Sequence, residues 1–292
     1  MRVTNHMMIN NLQENIRKNL KQLDKYNNQL STGKKFNLPS ENPSATRKGM
    51  VLKSSLESVE QYKKNINHAQ DHLLNTEQVL TNVTEILQSA NEKAIQGANE
   101  TLSQSDRIAL ADDIDQLNEY LLQLSNTKIA GNYIFSGYKN QTKPFDNVTD
   151  NYQGDFNKLE TEIAPGITLD YNVPGNSIFG ANGELFDIFS DLSANLRADN
   201  TTGIDEGIEK LNNEIDDVMA ILSEIGSKTN RLELSSNRLN DQEINLTKII
   251  SGNEDADIAQ VITDLKMQEN MFQATLATGA RIIQPTLMDF LR

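Results

Sequence analysis

Residues 203–250 read GIDEGIEKLNNEIDDVMAILSEIGSKTNRLELSSNRLNDQEINLTKII. Ile204, Ile208, Leu211, Ile215, Val218, Leu222, Ile225, Thr229, Leu232, Ser236, Leu239, Glu243, Leu246 and Ile250 recur at alternating steps of four and three, one phase held for almost seven heptads. Such a repeat draws a narrow seam along one side of an α-helix and marks a long helix packed on another. A second run answers it. Tyr62, Ile66, Ala69, Leu73, Thr76, Leu80, Val83, Leu87, Ala90 and Ala94 keep the same spacing. The two runs predict long inner helices whose seams serve the chain's own packing.

Outward from these, helix signals continue. Asn42 suits an N-cap and Pro43 the first helical position of the helix that runs to about residue 100. Ser103 to Asp106 has the form of a capping box and opens a helix with the seam Leu110, Ile114, Leu117, Leu121 and Leu124, which Gly131 closes. Near the start, Ile9, Leu12, Ile16, Leu20, Leu23 and Leu30 predict an amphipathic helix over 9–30, ended by Ser31-Thr32-Gly33. Toward the end, Ser251 to Asp255 breaks the long helix. Glu254, Asp255 and Asp257 bring negative charge to the start of a last helix carrying Ile258, Ile262, Leu265, Phe272, Leu276 and Ile283.

The middle reads differently. From Tyr133 to about Gly183 the heptads vanish, and short runs (Tyr133-Ile134-Phe135, Ile163 to Tyr171, Ser177-Ile178-Phe179) sit between Asn, Gly, Asp and Pro, as strands between turns do. The expected fold is mainly α: an elongated bundle of long coiled-coil helices formed by the N- and C-terminal parts, with a small β-rich central insertion. Three divisions follow: a terminal helical assembly domain (1–42 plus 254–292), a long-helix bundle (43–131 plus 203–253) and the β-rich domain (132–202). A hairpin of this plan brings both termini to one end. Each terminal helix has one narrow apolar stripe and is poorly stable alone, so a partner is expected there: Leu12, Ile16, Leu20, Leu23, Leu30, Ile258, Ile262, Leu265, Phe272, Leu276 and Ile283 are the candidate assembly residues.

Composition agrees with helices packed along their sides. Aromatics make up 5% of 292 residues, Trp is absent, Gly (15) and Pro (6) are scarce. The 35 Asn, many inside helical patterns where Asn costs propensity, suggest an amide-rich contact surface. The net charge of −14 is uneven: residues 1–64 carry 12 Lys+Arg against 5 Asp+Glu, the remainder 15 against 36. A basic end meeting acidic neighbours is one reading, a solvated basic helix the other. The acidic whole repels nucleic acid. With no Cys, disulfides, thiolate metal sites and Cys nucleophiles are excluded. No stretch has the length of a Sec signal or a membrane span, which reads as cytoplasmic or as export by another route.

Catalytic constellations are thin. His68 and His72 stand at i and i+4, but Ala69 takes the place of a zincin's Glu and no third ligand is evident. Ser31-Thr32-Gly33-Lys34-Lys35 lacks the Gly and the Ser/Thr of a phosphate loop, having Asn28 and Lys35 there. Asp112, Asp113, Asp115 and Glu119 read as a solvated helix face. Asn82-Val83-Thr84 is a chance glycosylation match in an Asn-rich chain. No metal and no cofactor is expected, and an enzyme is the weakest class.

Gln29 to Lys35, then Pro39-Ser40-Glu41-Asn42-Pro43 and Gln61-Tyr62-Lys63-Lys64-Asn65-Ile66, resemble the start of the flagellin superfamily; Glu254-Asp255-Ala256-Asp257-Ile258-Ala259 resembles its end. The motifs span about 50 residues at each end, in the right order. Gly131 to Gly137, Pro144-Phe145 and the ending Gln284 to Arg292 are more similar to the branch that sits between hook and filament than to the filament subunit itself, which stays the alternative. His72 departs from relatives that carry a large aromatic there. The resemblance implies a secreted structural protein of the bacterial flagellum. It implies as partners hook-associated protein 1, flagellin, copies of itself in a ring and a cytoplasmic export chaperone, with no nucleic acid and no membrane. Export through the flagellar channel would account for the missing Sec signal. A cytoplasmic coiled-coil scaffold is the rival from another class.

Overall fold

The computed structural model describes residues 2–99, 101–146 and 151–283. The chain divides into two compact units: 1–58 with 242–292, and 59–241. Helices α1 (Arg2–Thr32), α2 (Pro43–Gly97), α3 (Gln104–Ser125), α4 (Asn176–Phe179), α5 (Glu184–Arg197), α6 (Thr201–Glu254) and α7 (Ile258–Ile283) carry most of it. Strands β1 (Lys128–Ile129) and β2 (Asn132–Tyr133) form one antiparallel hairpin, β3 (Glu160–Ala164) and β4 (Ile167–Asp170) another. The fold is mainly α, a bundle of long helices from the N- and C-terminal parts with a small β insertion.

Most punctuation falls where the residues ask for it. Asn42 caps α2, its Oδ1 accepting from the N–H of Ala45 at 3.0 Å. Ser103 caps α3 by accepting from the N–H of Asp106, and its hydroxyl donates to the Asp106 carboxylate. Gly33, at φ +70, closes α1, its N–H reaching Gln29 O at 2.8 Å.

In the second unit the seams are the core. Ile66, Ala69, Leu73, Thr76, Leu80, Val83, Leu87, Ala90 and Ala94 of α2 are fully buried, as are Ile204, Leu211 and Leu232 of α6, with Val218, Ile225 and Leu239 nearly so. Thr76 enters the seam without an orphaned hydroxyl because it donates to His72 O one turn back. Hairpin β3–β4 meets α2 through Asn65, which donates to Glu162 O at 2.8 Å, and through Tyr171, whose ring lies edge-on to both His68 and His72. It meets α6 through Lys228, which pairs with Asp170 at 2.8 Å. Phe135, Phe145, Tyr152, Phe179 and Phe186 form a separate aromatic nest of edge-on and stacked rings.

Four expectations are corrected. Gly131 does not end α3, which stops at Ser125; Ala130 (φ +50) and Gly131 (φ +87) are the two central residues of the β1–β2 hairpin, where both must be left-handed. Ser177-Ile178-Phe179 is the short helix α4, because the N–H groups of Ile178 and Phe179 both fold back onto Gly175 O. The stretch before Gly203 is not strand-rich: α5 fills it, burying Leu185, Phe186, Phe189, Leu192 and Leu196 at helical spacing. Helix α6 runs straight through Ser251 and Gly252 and ends at Glu254.

Candidate assembly surface

In the first unit α1 and α7 pack antiparallel. Leu12 abuts Gly279, where an added Cβ would come within 2.7 Å of the leucine, so the small residue sets how closely the helices approach. Farther along, Asn19 donates to the Thr275 hydroxyl and accepts from Gln268, both at 3.0 Å. A satisfied amide cross-link of this kind fixes the register of two helices while adding little burial.

A lock closes the same unit. Glu254 is 5% exposed, and its carboxylate takes Lys34 Nζ at 2.6 Å and Lys53 Nζ at 2.7 Å. The Lys34 hydrogen bond, then that of Lys53, holds its carboxyl below the usual carboxylate range despite burial. Around it Lys35 N–H donates to Glu254 O, Ala256 N–H to Gly33 O, and Asn253 to Ala45 O. Gly49 leaves room for this carboxylate: a Cβ there would collide with it. Asp257 caps α7, accepting from the N–H groups of Ala259 and Gln260. The acidic triplet thus splits, Asp257 serving the helix terminus and Glu254 the lysine lock.

The candidate residues distribute as follows. Leu12 and Leu265 are buried between the helices; Ile16, Leu23 and Phe272 are half-buried; Leu20, Leu30, Ile258, Ile262 and Leu276 are exposed. The side chain of Ile283 lies outside the described residues. Among the described side chains of α1 and α7 the buried hydrophobics are Leu12, Val261 and Leu265. At roughly 1.5–3 kcal/mol each, they offset little of a backbone ordering cost of about 1–2 kcal/mol per residue. The pair is therefore marginal by itself, and it still presents apolar surface. Ile258, Ile262 and Leu276 share one flank of α7 beside its packed face. Met267 and Met271, missed in the sequence because they fall out of phase with the seam, lie on the other flank.

The remaining candidates have structural partners. Asp112 and Asp115 both bind Arg197, and Asp113 binds Lys93. His72 lies edge-on to Tyr171, and burial first, then the charge of His68, pushes its pKa down to about 4. Among the described residues no three His, Cys, Asp or Glu stand together as metal ligands, and no helix is long and apolar enough to cross a membrane.

Residues 3–140 match the model of the bacterial flagellin N-terminal helical region, and residues 207–291 that of the bacterial flagellin C-terminal helical region. The chain is 30% identical to flagellar hook-associated protein 3 of Escherichia coli, with 94% of this chain and 95% of that protein covered. It is 24% identical to a flagellin of Halalkalibacterium halodurans, over 94% and 93%. The fold is shared with a putative flagellar hook-associated protein from Vibrio parahaemolyticus at a TM-score of 0.68 and 22% identity, covering 74% of this chain and all of that one.

Proposed function

Because this chain belongs to the flagellar hook-associated protein 3 family, we propose that its α1–α7 pair is the part that builds it into the flagellum. The protein is a structural component of the hook–filament junction. Its relatives are structural proteins of the flagellum, and it works in association with other flagellar components. The more specific reading is an adaptor without catalytic activity, seated on hook-associated protein 1, offering a flagellin-like surface to the first flagellins and ringed by copies of itself. The three-part division fits this reading, with 1–42 and 254–292 as the assembly domain.

The observation that carries it is the apolar surface left on α1 and α7 after they have packed on each other. Leu20, Ile258, Ile262 and Leu276 face solvent on helices already short of burial, and a neighbouring subunit supplies what is missing. Identical copies are favoured as lateral neighbours by the charge split, since the basic first 64 residues complement the acidic remainder of the next copy.

Ile262→Asp tests this. Ile262 is exposed, so the charge costs the isolated chain little, whereas burial in an assembly would leave it unpaired. The expected strain carries hooks, lacks filaments and sheds flagellin into the medium. Full-length filaments on that strain would remove α7 from the assembly surface.

The same α7 side chains also need covering before export, and a helical chaperone groove reading anchors at i, i+4 and i+7 fits them. The alternative grip is Leu232 to Ile250. A chain ending at Asn253 should lose chaperone binding in a pull-down; undiminished binding assigns recognition to α6.

A further inference from the structure

The chain has no Cys and no Trp, so methionine is its most readily oxidised side chain. Methionine is ordinarily a core residue. Here the six methionines with described side chains (Met7, Met8, Met50, Met219, Met267 and Met271) are all 46% to 66% exposed, while the buried core is made of Leu, Ile, Val, Ala, Phe and Tyr. Four of the six lie on α1 and α7.

Their placement is ordered. Met267, Met271, Ala274 and Thr278 follow at steps of four, three and four, a single stripe on the flank of α7 away from Ile258, Ile262 and Leu276. Met8 of α1 lies farther along the pair, lining a groove with Leu12, Ala274, Thr275 and Thr278. The four stripe residues carry no charge, and Asp264 borders them one step back.

We propose that Met267 and Met271 form a peroxide-sensitive modification site whose oxidation before assembly disables this flank. Each thioether takes one oxygen from hydrogen peroxide: the sulfur lone pair attacks, the O–O bond breaks, a sulfoxide forms and water leaves. Sulfur is oxidised by two electrons and the peroxide is reduced by the same two. The product is polar and chiral, so covering it against a neighbouring copy leaves a strong acceptor without a donor. Once copies are in place the thioethers are covered and shielded. The site is therefore open only between export and incorporation. This inference rests on the assembly reading of α1 and α7.

The full-length chain is treated with hydrogen peroxide, and oxygen gained at each methionine is read by peptide mass spectrometry. It is then added to hooks from cells lacking this protein, and the amount pelleting with the hooks is measured. Oxidised wild type should pellet roughly tenfold less than untreated chain. Met267→Leu/Met271→Leu keeps the apolar volume and should pellet equally with or without peroxide, whereas Met50→Leu/Met219→Leu should remain sensitive. Methionine sulfoxide reductase should restore the wild type. The proposal is overturned if wild type oxidised at Met267 and Met271 pellets like untreated chain, or if the double Leu variant is as peroxide-sensitive as wild type. Untreated Ile262→Asp distinguishes the two levels: if it pellets normally, the assembly reading fails; if it does not, only the oxidation site has failed.

Discussion

The guanidinium of Arg107 donates from Nε to Gly97 O at 3.1 Å and from Nη2 to Asn99 O at 3.0 Å, and its Nη1 pairs with Asp199. It is 4% exposed and ties the α2–α3 turn to the α5–α6 turn, where Asp199 takes a left-handed φ of +57. Arg107→Ala leaves the carbonyl of buried Gly97 without this donor and should cost about 1–3 kcal/mol. Denaturant unfolding reads this, and an unchanged midpoint would deny the lock. His72 makes a pH-dependent contribution. Folded, it binds a proton only near pH 4, against 6.5 as its ordinary value. Between those pH values the unfolded chain binds more protons, so the contribution is complete above about 6.5 and lost as pH falls toward 4. At roughly 1.4 kcal/mol per pKa unit it is at most about 3 kcal/mol. His72→Phe should remove it while keeping the edge contact with Tyr171. Melting at pH 7 and pH 5 should show a larger loss for wild type than for the variant, and equal losses would contradict the assignment. The sequence marked His72 only as half of an incomplete ligand pair and as a departure from its relatives, and Arg107 not at all. Arg107 sits beside a seam with the look of a solvated cation, and its acceptors come from turns far along the chain.

At the scale of elements, Gly279 and Leu12 set the α1–α7 approach. Gly279→Val should weaken the pair, read as faster amide exchange across Leu12 to Leu23 with 59–241 unaffected. Leu265→Asp should show the same loss, because Leu265 is buried within the pair, whereas exposed Ile262→Asp should leave exchange unchanged. Equal exchange in all three would mean the pair adds no protection in the free chain. What the sequence made plain at this scale were the long seams of α2 and α6, where a repeat over many turns leaves one choice of face. Caps at Asn42 and Ser103 were equally plain, since each is a local contact between neighbours in sequence. Helix α5 escaped because its apolar residues Leu185, Phe186, Ile188 and Phe189 are dense and Gly183 precedes them, which mimics a strand between turns. The spacing of Leu185, Phe189, Leu192 and Leu196 was the available signal. The apolar stripe was readable on α1 and α7, but not which side chains the two helices would use on each other. That division depends on Gly279 and Asn19, neither of which is apolar.

At the scale of the whole molecule, charge separates along the chain: a basic first 64 residues and an acidic remainder. If copies meet basic side to acidic side, salt should weaken their association, since screening shortens from about 10 Å at 0.1 M to about 3 Å at 1 M. Pelleting with hooks should fall across that range, and a flat response would strip the charge split of its role. The lysine lock has a consequence in time. Lys34 and Glu254 stand 220 positions apart, and α1 finds α7 only across nearly the whole length of the chain. Residues 59–241 are continuous and can settle as soon as they emerge from a narrow conduit. The first unit is stitched from segments on either side of residues 59–241, so whichever of the two leads must wait for the other. The proposed assembly surface is therefore finished only when both of its segments have come free.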